Sequence, residues 1–199
     1  IHAVQTPCYV VDRGLLEDNL RILRQTADAA GCKILLAQKA FSMFHYYPLI
    51  GQWLDGTAAS GLYEARLGRE EMPGREVHTF SPAYTERESD DVLAVSGHIV
   101  FNSLAQAGRF GPRAAAAGKH CGLRINPQCS TQEHAIYDPC SPGSRLGVTA
   151  GQMPQVLPAY LTGLHFRTLC EQNVDALQAT VQAVEQSFGR YLEQVRWLN

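Results

Sequence analysis

Short apolar runs alternate along this chain with longer segments whose apolar residues recur at helical spacing, and few folds accommodate that alternation. We predict strands at 33–38, 56–60, 76–80, 98–102, 121–126 and 161–166, and residues 195–199 have the composition of a seventh strand. Repeated strand–helix units indicate a parallel sheet covered by helices. The predicted fold is therefore α/β, a (βα)8 barrel of the TIM type of which this chain holds seven strands.

The helices between the strands are predicted from capping residues and periodicity. Asp12 can cap the first helix, and Gly31 can end it. Further helices are expected near 44–54, 62–71, 85–95 and 173–192, and another after 102 that Gly111-Pro112 should end or kink. One additional strand is predicted before the first helix, at Cys8–Val11.

A doubly wound open sheet is the main alternative for this pattern. That fold usually carries a glycine-rich turn after its first strand, and the segment 37–41 contains no glycine. Barrel enzymes build their active sites at the carboxyl ends of the strands. Polar side chains recur at those ends here, so we expect them to converge on one mouth: Gln38, Lys39, Ser60, Ser81, Asn102, Arg124, Asn126, His165 and Arg167. Strands that leave a core often end in polar residues, which is enough to explain Ser81 and Asn102.

Lys39 is the most informative of these residues because it closes the first apolar run of the series. Partial desolvation of its amine would lower the pKa and favour Schiff-base chemistry. The alternative is a lysine whose stem leaves the core and whose amine reaches water. Arg124 is harder to explain structurally, since arginine is rarely buried in a strand without a partner.

Composition and charge exclude several classes of function. The net charge of −2 favours neither nucleic acid nor an anionic membrane surface as a partner. No apolar run approaches the roughly 20 residues of a membrane span. The six cysteines form no CxxC pair, and no histidine has zinc-site spacing. We therefore expect a reduced cytoplasmic protein without a structural metal.

Several segments occur together in a fixed order: the lysine strand, 59–64, 123–127, 137–147 and 163–172. Together they resemble the decarboxylases of the alanine racemase fold that use pyridoxal 5'-phosphate. Segment 137–147 and the sequence Leu169-Cys170-Glu171-Gln172 are similar to the branch that acts on carboxynorspermidine and carboxyspermidine. The resemblance extends from Thr6 to Asn199.

The resemblance implies a reaction and a set of site residues. Lys39 would form the Schiff base with the cofactor, and loss of CO2 would yield norspermidine or spermidine. Arg124 would lie near the cofactor ring, and His165 and Arg167 would follow on the sixth strand. Further cofactor contacts are implied for Ser60, Glu64 and Cys170, and a substrate-side loop is implied for Ser144, Arg145 and Gly147.

Some of these residues also have purely structural interpretations. Glu64 could stabilise the first turn of a helix. Ser144 and Gly147 could be loop formers only. Cys170 could be a small buried residue, and His165 a hydrogen-bonded core histidine.

Arg167 departs from the family, which usually has histidine there, stacked on the cofactor ring. An arginine is permanently charged and would repel a pyridinium ring. Either Arg167 turns away to a carboxylate or a phosphate, or activity is reduced. On the second interpretation, Arg167→His would raise the activity of an intact enzyme.

The resemblance also implies segments that follow Asn199 in the family: a glycine-rich phosphate loop, the acid that pairs with the pyridine nitrogen, and a β-domain that completes a homodimer. We expect 1–12 to belong to that β-domain and 13–199 to be the barrel, cut in its seventh strand, with little or no decarboxylation by this chain alone. The other functions left open are a diaminopimelate, ornithine or arginine decarboxylase, a racemase, and a pyridoxal-phosphate-binding protein that catalyses nothing.

Overall fold

Seven parallel strands form one curled sheet in chain order in the computed structural model, which describes residues 4–199. The strands are β1 Leu35–Ala37, β2 Gly56–Ala59, β3 Glu76–Phe80, β4 His98–Phe101, β5 His120–Arg124, β6 Leu161–His165 and β7 Trp197–Leu198. Each strand pairs with the next, so β1 and β7 are the two edges of the described sheet. The predicted parallel strand–helix fold is confirmed as an incomplete barrel.

Six helices cover the outside of this sheet. They are α1 Arg13–Ala30, α2 Tyr47–Ile50, α3 Leu62–Glu71, α4 Glu86–Val95, α5 Leu104–Ala116 and α6 Val174–Leu192. The caps of α1 are those predicted: the Asp12 side chain accepts from the Leu15 N–H, and Gly31 ends the helix in the left-handed conformation at φ 63°.

The main core lies between the later strands and helices α5 and α6. Phe101, Leu164, Phe188 and Tyr191 are each fully enclosed there, at 0% exposure. Burial of such large apolar side chains fixes the outer faces of β4 to β6. The carboxyl ends of these strands are thereby held in fixed positions, which is what a site built on them needs.

The lysine strand differs from its prediction. β1 covers only Leu35–Ala37 and is partly exposed, whereas the sequence favoured a buried strand over 33–38. It pairs on one side only, with β2, so one of its flanks has no covering strand in the described chain. Lys39 lies in the turn directly after it.

The helix expected over 44–54 is wrong in extent, and the helix after 102 does not end at Gly111-Pro112, which was one of the two outcomes predicted for it. A 3₁₀ turn at Phe44–Tyr46 and the single-turn helix α2 replace the helix expected over 44–54. Helix α5 continues through Pro112 to Ala116. Pro112 lacks an N–H and loses one helical hydrogen bond, but burial of Phe110 and Ala114 on either side holds the helix together.

No strand forms at Cys8–Val11. Tyr9 is 97% and Val10 66% exposed, and no described strand lies beside them to supply hydrogen bonds. Residues 1–3 of the predicted 1–12 segment lie outside the described residues. The assignment of 1–12 to a second domain stays a prediction.

Among residues 4–199, no helix combines the length and the apolar character needed to cross a membrane.

Candidate functional site

A cavity of about 380 Å³, here called the inner chamber, opens at the carboxyl ends of the strands. It receives side chains from strands on both sides of the curled sheet, from β1 and β2 on one side and from β5 and β6 on the other. Its lining contains Lys39 from the turn after β1, Ser60 from the end of β2, Arg124 from β5, and His165 and Arg167 from β6 and the segment after it. Five of the predicted site residues thus meet in one place.

A second cavity of about 270 Å³, here called the outer chamber, adjoins the first. The two share Arg124, Leu146 and Arg167 in their linings. The long loop after β5 forms much of the outer chamber, and the predicted residues Ser144 and Cys170 both line it. Asp138 of the same loop also lines it, and sequence reasoning did not single out that residue.

Lys39 has an amine whose pKa is lowered. Partial burial is the main cause, and the guanidinium of Arg167 is the second. The negative charge of Glu64 raises the pKa of Lys39, whereas the positive charge of Arg124 lowers it further. The side chain is exposed in the described chain, as the alternative of a solvent-reaching lysine expected, yet it lines the inner chamber. A larger neutral fraction of this amine at neutral pH favours attack on an aldehyde.

Arg124 is the most deeply buried charge of the site, at 4% exposure. Its guanidinium carbon lies 4.7 Å from the centre of the Phe80 ring. Nη2 donates one long hydrogen bond, 3.5 Å, to the backbone oxygen of Arg167. Burial, and then the charge of Arg167, lower the pKa of Arg124 to about 10. No carboxylate of residues 4–199 forms an ion pair with it.

His165 lies on the chamber side of β6. Its ring stacks on Phe80, with centroids 5.4 Å apart, and Nδ1 is 2.5 Å from Oδ1 of Asn199. Burial lowers the pKa of His165 to about 4, so the ring is neutral at neutral pH. The residue is hydrogen-bonded, as its structural interpretation expected, but it lines the inner chamber as well.

Ser60 and Glu64 are joined to each other. The Ser60 N–H donates to Oε2 of Glu64 at 2.7 Å, so the carboxylate stabilises the start of α3 from within its first turn. Glu64 lines neither chamber, and its contact with the site is the charge that it exerts on Lys39. This geometry matches the structural interpretation of Glu64.

Asn102, at the end of β4, holds the loop that contains Arg145 and Gly147. Its Nδ2 donates to the Arg145 backbone oxygen at 2.9 Å, and its Oδ1 accepts from the Gly147 N–H at 3.0 Å. Gly147 has a φ of 82°, and a Cβ there would lie 2.9 Å from the Ile125 carbonyl carbon. Gly147 is therefore a loop former, and the side chain of Arg145 is exposed and lines neither chamber.

Cys170 corrects one structural interpretation. It is exposed on the wall of the outer chamber and is not a small buried residue. Thr168, two residues earlier, is buried against α6, so only part of the segment after β6 is exposed.

Sequence reasoning missed a histidine cluster that lies towards the amino-terminal ends of the strands. His78, His98 and His120 occupy matching positions on β3, β4 and β5, and their rings stack at 3.8 and 4.6 Å. Ligand atoms of Glu76, His78 and His98 lie within 4.8 Å of one another. The His78 and His98 rings are nearly parallel, at 10°, so one ion cannot lie in both ring planes in this arrangement.

Comparison with known proteins identifies similar chains but no matching family model. A carboxyaminopropylagmatine decarboxylase from Synechocystis sp. is 38% identical over 199 residues, which are all of this chain and 51% of that protein. A carboxynorspermidine/carboxyspermidine decarboxylase from Campylobacter jejuni is 37% identical over 98% of this chain and 50% of its own length. This chain therefore spans about half the length of the curated relatives that it matches.

The structural comparison agrees. The crystal structure of carboxynorspermidine decarboxylase from Campylobacter jejuni, complexed with norspermidine, superimposes with a TM-score of 0.88 at 36% identity. It matches 98% of this chain and 50% of that one. The fold is thus the barrel of the alanine racemase fold, and the chain is similar along nearly its whole length to these decarboxylases.

Proposed function

We propose that this chain supplies the barrel portion of a pyridoxal-phosphate-dependent decarboxylase that acts on carboxynorspermidine and carboxyspermidine. The observation that carries the proposal is the position of Lys39, whose amine lines one cavity with a buried arginine that has no carboxylate partner among residues 4–199. The products would be norspermidine or spermidine and CO2. Relatives named for this activity are similar over nearly the whole chain, which supports the same assignment.

The residues present fit the cofactor. Pyridoxal phosphate has an aldehyde, a flat ring and a phosphate dianion. The inner chamber offers an amine of lowered pKa at Lys39, an apolar wall at Phe80, and cationic groups at Arg124 and Arg167. Its volume of about 380 Å³ falls in the usual range for small-molecule pockets.

The chemistry of the bound cofactor is to bond amines through its aldehyde and to take up electrons in its ring as a carboxylate leaves. The chain's own residues would hold and orient it. Lys39 would bind the aldehyde carbon through Nζ and act as the acid–base group of the chamber when released. His165, whose ring is kept neutral by burial and held in place by Asn199, would present an uncharged ring without adding positive charge. Ser60 and Cys170 would line the remaining walls as further cofactor contacts.

Carboxyaminopropylagmatine is a second candidate substrate, because a relative named for it is as similar as those named for carboxynorspermidine. The substrates share a carboxylated aminopropyl end and differ at the remote end, where agmatine carries a guanidino group. We place the loop residues Ser144 and Arg145 on the substrate side, since Ser144 lines the outer chamber and Arg145 follows it.

Two further proposals concern the cellular compartment and the oligomeric state. All six cysteines are free, which supports a reducing compartment and hence the cytoplasm. Exposed apolar residues near the start of the chain, including Tyr9 and Val10, support contact with further protein, and we propose a homodimer of the longer protein as its form.

Lys39→Ala is expected to abolish covalent attachment of pyridoxal phosphate. The chain has only three lysines, so borohydride reduction followed by peptide mapping assigns the attachment site directly. Lys119→Ala and Lys33→Ala are matched controls and should label like the unchanged chain. Labelling of the Lys39 peptide that is no greater than that of the other two lysine peptides would rule out the proposed role.

A further inference from the structure

Arg124 and Arg167 both lie on the boundary between the two chambers, and each lines both. Lys39 lines the inner chamber with both arginines, and Arg124 Nη2 lies 3.5 Å from the backbone oxygen of Arg167, so three cationic residues share one cavity. None of the three takes part in an ion pair with a carboxylate of residues 4–199. A cluster of like charges in a cavity is unfavourable unless an anion compensates it.

We propose that Arg124 and Arg167 together form an oxyanion subsite at the junction of the inner and outer chambers. Its ligand is a phosphate monoester or a carboxylate. The inference deepens the proposed function, because the cofactor carries the first of these groups and the substrate the second. Binding of the oxyanion itself does not require Lys39 to react.

The unused hydrogen-bond donors of Arg124 also support a bound oxyanion. A guanidinium has five N–H donors in a planar fork. The described structure uses Arg124 in one bond to a backbone carbonyl, at the long distance of 3.5 Å. The other donors of a side chain that is only 4% exposed thus remain available on the cavity side. Planar, bidentate recognition of phosphate or carboxylate is what such a fork provides.

No carboxylate of the long loop after β5 forms an ion pair with the two arginines. Asp138 lines the outer chamber with both arginines, but its oxygens have other donors. Oδ1 accepts from the Cys140 N–H at 2.7 Å, and Oδ2 accepts from the Ser130 hydroxyl. Its carboxylate is held inside its own loop, so the charge of the arginine pair is left for a bound anion.

Arg167 is the more exposed arginine of the pair and has more freedom to change its side-chain conformation. It is exposed at the cavity rim, whereas Arg124 is buried in β5. Arg167 thus adds a second permanent charge beside Arg124. In this proposal, Arg167 turns to an anion.

The test measures binding of inorganic phosphate to the 199-residue chain by titration calorimetry. Arg167→Gln keeps the size and some donors but removes the charge, and should weaken binding about 10- to 100-fold. Arg167→Lys should weaken it less, since the charge remains without the fork. Arg109→Gln, which removes an exposed arginine of α5, is the matched control and should bind like the unchanged chain. Equal affinity of Arg167→Gln and the unchanged chain, or no saturable phosphate binding by the unchanged chain, would overturn the proposal.

A second arm distinguishes the two sources of oxyanion. The chain is loaded with pyridoxal phosphate, reduced with borohydride, and titrated with phosphate and with acetate. Loss of phosphate binding assigns the pair to the cofactor phosphate, and retained acetate binding that depends on Arg167 assigns it to the substrate carboxylate. Failure of Lys39 labelling with retained Arg167-dependent phosphate binding would refute the proposed function alone, so the two failures are separable.

Discussion

Gly56→Ala should destabilise the fold by about 3 kcal/mol, the upper end of what one added methyl group costs in a packed interior. A Cβ at this position would lie 2.1 Å from the backbone oxygen of Glu76 and 2.7 Å from its carbonyl carbon. Gly56 pairs directly with Glu76 in the β2–β3 ladder, so the obstacle is the backbone of the next strand. The backbone of Glu76 cannot easily move away, because its N–H donates to the backbone oxygen of Asp55 at 3.0 Å.

Urea unfolding of Gly56→Ala beside the unchanged chain measures this effect. Gly189→Ala is the matched control: it lies in α6 with no atom within 4 Å of an added Cβ. Alanine there should stabilise the chain by about 0.5–1 kcal/mol, through helix propensity. Equal stability of Gly56→Ala and the unchanged chain would contradict the register of β2 against β3.

Acidification from pH 7.5 to 4.5 is expected to destabilise the folded chain by several kcal/mol. Burial, and then the neighbouring histidines, lower the pKa of His98 to about 4, while the unfolded value is about 6.5. The unfolded state therefore binds more protons in this interval, and stability falls as the pH falls from about 6.5 towards 4. His98 alone contributes at most about 3 kcal/mol. His78 and His165 also have lowered pKa values and act in the same direction.

The groups around His98 explain why protonation is unfavourable there. The His78 and His120 rings stack on its two sides, and Trp197 presents its ring at 5.3 Å. Among residues 4–199, Glu76 is the only carboxylate in the cluster, and Lys33 is ion-paired with it. A charged His98 would thus meet imidazoles and an already compensated carboxylate.

His98→Phe tests the assignment, because it preserves a stacked ring that cannot titrate. The His98 Nδ1 is buried without a hydrogen-bond partner, so phenylalanine loses no bond at that atom. This variant should lose less stability on acidification than the unchanged chain. His45→Phe, at an exposed position, is the control and should leave the pH dependence unchanged. A stability profile that is flat between pH 7.5 and 4.5 would refute the prediction.

The sequence predicted which polar residues would lie together better than it predicted the edges of the fold. Lys39, Arg124 and His165 follow or end strands, and parallel strands bring their carboxyl ends together, so their convergence could be inferred from order alone. Cys8–Val11 has the composition of a strand, but a strand also needs a neighbour, which composition does not supply. The extent of α5 depended on packing around Phe110 that overrides one proline.

The order of the strands, their parallel direction and the position of Lys39 after the first strand were determined by the sequence itself, through periodicity and the short connections between elements. The tertiary structure alone decided which charges lack partners. Arg124 is buried beside Arg167 with no carboxylate of the described residues against it, and Glu64 is turned to the helix and not to the cavity. The physical reason is that burial and pairing depend on side chains distant in sequence, and these meet only when the sheet curls.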